Sequence, residues 1–141
     1  MSMEAAENDR RIGNVVRVGK VASVDPGSAK AVVDFGDLKS PPLPVGQLRA
    51  GGLQFWWMPT TGEQVLVACE GGDLAQGVIV CSLYAGNAPS ADGAVPQINL
   101  AGGKMIVDGD IEVTGDVIAS GVSLVNHTHP ESIGSNTGKP S

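Results

Sequence analysis

Basic residues are scarce. Nine Lys and Arg stand against fifteen Asp and Glu, a formal net charge of -6. This removes the attraction that a general binder of phosphate backbones or anionic lipid relies on, so nucleic acid is not an expected partner. Aromatic residues make up only 4% of the chain, too few for a stacking platform on single strands. The two cysteines, Cys69 and Cys81, lie twelve positions apart with no CxxC, which excludes a disulfide framework and a zinc knuckle. With a hairpin turning at Gly71-Gly72 they would not face each other, and both are expected as buried, reduced thiols. No apolar run reaches the roughly 18 residues of a membrane span, and the N-terminal MSMEAAENDRRIG has no apolar h-region. Neither a transmembrane helix nor a signal peptide is therefore expected, and synthesis and assembly are expected in a cytoplasm.

Glycine and proline are abundant instead, 20 and 9 of 141 residues, so turns must be frequent. Residues 1–10 are polar and form either a short helix or an unordered segment. From Ile12 onward, β-branched and aromatic runs alternate with turn clusters. Val15 to Val21 and Ala31 to Phe35 flank Asp25-Pro26-Gly27-Ser28; after a Pro-rich loop come Leu53 to Met58, Gln64 to Cys69 and Gly77 to Tyr84. Five short strands with Gly/Pro punctuation predict an all-β chain whose residues 11–86 form a small OB-fold barrel. Trp56 and Trp57 are adjacent, so on a strand only one can face the core. The other is a subunit contact or a surface ring.

Beyond a linker at 87–101, residues 102–125 divide into four hexads, GGKMIV, DGDIEV, TGDVIA and SGVSLV, with glycine at 103, 109, 115 and 121. A fixed repeat marks an elongated stacked architecture. On a continuous strand the odd positions share a face: Met105, Val107, Ile111, Val113, Val117, Ala119 and Val125, interrupted by the glycines and Ser123. The opposite face carries Lys104, Asp108, Asp110, Glu112, Thr114, Asp116 and Ser120, with Ile106, Ile118 and Leu124 as apolar exceptions. One side is dry and the other mostly wet. The cost of ordering the backbone exceeds what burial of so few side chains returns, so the hexads should not fold alone. Winding copies of the strand about a common axis joins the dry faces and pairs every edge. Three is the smallest number that encloses an axis. A homotrimeric triple-stranded β-helix is therefore expected, with glycines where backbones approach closely.

The chain's two histidines follow directly, in Asn126-His127-Thr128-His129-Pro130, the start of a tip at 126–141. Continued in register, His127 and His129 both point to the axis, where unpartnered imidazoles would be costly. Three chains would supply six imidazole nitrogens, a donor set for one octahedral transition-metal ion. Iron fits best, nickel or cobalt less well, because zinc prefers four ligands and calcium or magnesium prefer oxygen. Six protein ligands leave no open position, which makes such an ion a clamp and not a catalyst. The plain alternative is an exposed polar pair near a flexible end. A cupin-type metal site fails because Glu131 stands too close to His129 and no strands remain to finish the barrel. No Ser/His/Asp set, Walker loop, dinucleotide fingerprint or HExxH is present, so no enzyme is expected. Residues 105–141 carry Asp108, Asp110, Glu112, Asp116 and Glu131 against Lys139, a solvated acidic exterior or a surface site for a divalent ion.

Several stretches resemble a known family: Asn14 to Val21, Arg49-Ala50-Gly51-Gly52, Trp57-Met58-Pro59, Gly62 to Val67, Gly71-Gly72-Asp73 and Gly77 to Val80. In that order, followed by glycine hexads and HxH, they are similar to the phage baseplate assembly protein V family, the central spikes of contractile tails and related bacteriocins and type VI secretion spikes. The resemblance implies a virion protein: a trimer of OB-folds attached to the tail hub, a β-helix shaft, and a tip that pierces the bacterial outer membrane, with the family's iron site carried by His127 and His129. No lysozyme insertion is present, so peptidoglycan cleavage would belong to another component. The competing expectation is a non-enzymatic OB-fold adaptor with a flexible tail.

Overall fold

The structure, a computed structural model, describes residues 2–130, 132–134 and 136–139. It divides into two compact units, Met1–Gln97 and Ile98–Ser141. Among the described residues no helix is long and apolar enough to cross a membrane.

The first unit opens with helix α1 (Met3–Gly13). Ser2 caps it by accepting from the Ala5 N–H, and Glu7 bonds both Arg10 and Arg11 one turn on. These two guanidinium bonds pull the Glu7 carboxyl down to about 2. The end of α1 rests on the turn that contains Gly72. A Cβ on that glycine, whose φ is +74°, would lie 2.0 Å from the Arg11 carbonyl oxygen. Only glycine lets the helix dock there.

Five strands follow: β1 (Val16–Asp25), β2 (Lys30–Asp34), β3 (Leu43–Pro44), β4 (Gln64–Cys69) and β5 (Gly77–Leu83). They form one antiparallel sheet in the order β3-β2-β1-β4-β5. Two irregularities bend it. In β1 the register shifts between Val21 and Ser23, so the inward set changes from Gly19 and Val21 to Val24. A second shift, opposite Leu66 and Val67, leaves Val80 without a partner on β4. Each extra residue twists and bends its strand. The sheet curls into a half-barrel consistent with an OB-fold. A parallel bridge from Val45 to Ile79 draws the two edges together, and the Gly46 N–H donates to the Ile79 carbonyl at 2.8 Å.

The core is built from medium and small apolar side chains: Val21, Ala31, Val33, Leu43, Val65, Val67, Cys69 and Ile79. It contains no fully buried ring, as the shortage of aromatics requires. Buried Ser40 is satisfied, accepting from the Val33 N–H and donating to the Pro41 carbonyl.

Three local expectations need correction. Leu53–Met58 is not a strand. Both backbone groups of Trp57 are bonded by the Gln47 carboxamide, whose oxygen accepts from the Trp57 N–H and whose nitrogen donates to its carbonyl. One side chain thus takes the place of a neighbouring strand. The β4–β5 connection is not a tight turn at Gly71-Gly72 but spans Glu70 to Gln76, so Cys69 faces Gly77 and Cys81 faces Leu66. The two cysteines do stay apart, as expected. Cys81, however, is exposed while Cys69 is buried; burial raises the Cys69 thiol above its ordinary value. Trp56 and Trp57 are both exposed, Trp57 tilted against Phe55 at 6.1 Å between centroids.

Leu43 lies in a strand of two residues yet is fully buried. Leu43→Ala should therefore destabilise the first unit by about 2–5 kcal/mol. Urea unfolding followed by circular dichroism checks this, and a loss under about 1 kcal/mol would remove Leu43 from the core.

Candidate functional site

The second unit has almost no interior. Every apolar side chain larger than alanine between 105 and 125 is exposed, from 44% at Val117 to 79% at Ile106. Among the described residues, 104–115 make no backbone–backbone hydrogen bond within the chain. The hexad glycines at 109, 115 and 121 have open space around them, with nothing within 4 Å of an added Cβ. Within one chain, this segment has neither ladder nor cover.

Order returns near the end of the repeat. Strands β6 (Ile118–Ala119) and β7 (Val122–Ser123) pair antiparallel around Ser120 and Gly121, both at positive φ. Such a two-residue turn matches the right-handed twist of a hairpin. It also corrects the expectation of one unbroken strand through 125. The chain reverses at Ser120-Gly121, so alternation counted from Gly103 cannot by itself bring the histidines to the same face.

They are brought together locally instead. The rings of His127 and His129 stand edge to face with centroids 5.1 Å apart. His127 is half-buried and its N–H closes a turn onto the Ser123 carbonyl at 3.0 Å. Its Nδ1 lies 3.0 Å from both the Ser123 and the Leu124 carbonyl oxygens. Carbonyls only accept, so Nδ1 carries the proton and the lone pair of the neutral ring sits on Nε2. His129 is held through its backbone: its N–H donates to Thr137 Oγ1 and its carbonyl accepts from the Thr137 N–H, both at 2.8 Å.

A residue assigned above only to the wet face organises this region. Asp116 Oδ1 accepts from the Val117 and Val125 N–H groups at 2.8 and 3.1 Å, and Oδ2 accepts from the Ser123 hydroxyl. The Ser123 oxygen in turn accepts from the Asn126 N–H at 2.9 Å, and Asn126 Oδ1 accepts from Lys139 Nζ. No sequence motif marks this clasp. Its one signal is an Asp-to-Ser spacing of seven residues across a Ser-Gly turn. The Ser123 hydroxyl, followed by the backbone donors, holds the Asp116 carboxyl below the usual aspartate range.

Among the described residues no group of three or more His, Cys, Asp or Glu converges within the chain. The donor set still suits a transition metal. His127 offers a neutral nitrogen whose partner nitrogen is hydrogen-bonded to carbonyls, the usual arrangement behind a metal-bound histidine, and a second imidazole stands beside it. One chain offers two side-chain nitrogens and therefore does not complete a site. Glu131, weighed above as the acid of a cupin-type motif, lies outside the described residues.

Residues 17–84 match the family described as the type VI secretion system/phage-baseplate injector OB domain. A relative of known role, the spike protein of Escherichia phage P2, is 32% identical over 81 residues. The match covers 57% of this chain and 38% of that protein's length. It spans well under two thirds of the relative.

The clasp carries a pH dependence. A carboxyl held below its unfolded value contributes order that is complete above about pH 4 and is lost as the pH falls through the lowered folded value. The amide resonances of Val117 and Val125 should therefore titrate with a midpoint below the ordinary aspartate value of about 3.9. A midpoint at or above that value would show that the clasp is absent in solution.

Proposed function

With residues 17–84 an OB domain of the type VI secretion and phage-baseplate injector family, we propose that this chain is the central spike of a contractile phage tail or phage-like particle. The observation that carries the reading is the second unit. An injector domain is followed by an apolar repeat that its own chain leaves without cover and, over residues 104–115, without backbone partners.

In this reading three copies wind residues 102–117 into a triple-stranded β-helix, and each chain then turns back on itself in the β6–β7 hairpin. Each buried Val, Ile or Met then contributes about 1.5–3 kcal/mol, and the ladder groups find partners on neighbouring chains. The glycines at 109 and 115, with free space where a Cβ would stand, let the backbones approach. The first unit has apolar surface to offer an assembly. Its outer face carries the row Val16, Ala68 and Val78 across three strands, continued by Val18 and Val80. Trp56 stands exposed nearby in sequence to a groove of about 730 Å³ lined by Leu48, Phe55, Trp57 and Tyr84. These surfaces are assigned to contacts between subunits and with the tail hub.

At the far end, His127 and His129 of the three copies would hold one metal ion, iron in the first instance, through six nitrogens. Bound there, the ion supplies a cross-link among three chain ends and no reaction. The Nδ1–carbonyl bonds of His127 keep its ring in the ligating tautomer. Thr137 fixes the backbone of His129. The function is mechanical. Sheath contraction drives a narrow shaft through the outer membrane, with its termini locked where fraying would otherwise begin. In this reading the protein resides in the virion.

Two measurements on the full chain test this. Light scattering should give three times the 14.3 kDa of one chain; a monomer would leave an OB-fold adaptor with an appended tail. Elemental analysis should find about one iron per three chains, lost in the double variant His127→Ala/His129→Ala while the mass stays trimeric. Iron retained in that variant overturns the ligand assignment.

A further inference from the structure

The half-buried ring of His127 and the carboxylate of Asp116 do not touch, yet a short chain of bonds joins them. Asp116 ties the Ser123 hydroxyl and the Val125 N–H on either side of Leu124. The Leu124 N–H is bonded to the Val117 carbonyl at 2.8 Å. Residues 123 and 124 are thereby fixed on both flanks, and their two carbonyls are the ones that meet His127 Nδ1. The same Ser123 carbonyl also accepts the His127 N–H, so ring and backbone are positioned from one point. All three donors around Asp116 are satisfied by its two oxygens. The carboxylate is committed to the clasp and is not offered to a cation.

We propose that the Asp116–Ser123 clasp is a positioning element for the tip: by closing the 116–125 segment it aims two carbonyls at His127 Nδ1, fixes the proton there, and so determines that Nε2 is the nitrogen presented to a metal ion. This rests on the reading that His127 and His129 hold an ion. It adds a residue eleven positions upstream that never contacts the ion and governs which face of the imidazole can. Hydrogen-bonded partners of a ligating histidine fix its orientation and tautomer, and losing them typically costs about 10–100-fold in metal affinity. Here the partners are main-chain carbonyls, which no side-chain substitution removes. The side chains that hold them in place are where the control lies.

The test uses the full chain carrying 15N-labelled histidine, before and after loading with ferrous iron. In the iron-free wild type, long-range proton–nitrogen correlation should show His127 protonated at Nδ1. Asp116→Ala and Ser123→Ala should each give a mixture of the two tautomers and weaken iron binding, read by competition with a chelator, by about 10–100-fold. Asp116→Asn keeps an oxygen for the Val117 and Val125 N–H groups and should recover most of both effects. A purely structural role for Asp116 would lower melting temperature without moving the tautomer. Should Asp116→Ala fail to assemble, the wild-type tautomer and Ser123→Ala decide. Wild-type His127 protonated at Nε2, or an unchanged tautomer and iron affinity in Ser123→Ala, overturns the proposal. Iron kept by His127→Ala/His129→Ala refutes the metal reading itself. Iron lost there but fully kept, with the same tautomer, in Asp116→Ala and Ser123→Ala refutes only the clasp.

Discussion

A peptide group must have its hydrogen bonds met, and an apolar side chain must have something to lie against. In this protein the two requirements are met in one half of the chain and left open in the other. The OB unit closes its account internally: each strand has neighbours, the two edges are drawn together by the Gly46–Ile79 bond, and the core is filled by aliphatic side chains. Residues 104–115 have no such internal solution among the described residues. The proposed assembly follows from that imbalance more than from any single motif.

The imbalance also accounts for the regularity of the second unit's sequence. In the hexads, alternate residues are apolar and every sixth is glycine, a pattern that specifies close packing against something of the same shape. The organised polar contacts gather between Asp116 and His127, on both sides of the turn at Ser120-Gly121. There a carboxylate, a hydroxyl and four main-chain groups set the environment of one imidazole.

Much of the OB unit was legible because strand alternation and turn chemistry are local. β1, β2, β4 and β5 stand close to where β-branched runs place them, separated by the Pro, Gly and Asp clusters. Where the reading failed, a longer-range contact decided the outcome. Leu53–Met58 has the composition of a strand, but Gln47, ten residues before Trp57, supplies its bonds. Cys81 sits next to a residue that bulges out of the ladder, and a bulge displaces side chains in a way alternation does not foresee. At the site, adjacency of the two histidines was visible in the sequence. The reversal at Ser120-Gly121 and the role of Asp116 were not, because parity assumes a straight strand and the clasp is made by residues that meet only after the chain has turned back.

The Gln47–Trp57 tie has an evolutionary implication. A segment anchored by one carboxamide, with Gly51-Gly52 at its apex, is mechanically decoupled from the barrel's register. Insertions, deletions or wholesale exchange at that apex leave β4 and β5 paired as before. The loop can thus change in length and sequence while the strands beneath it keep their pairing.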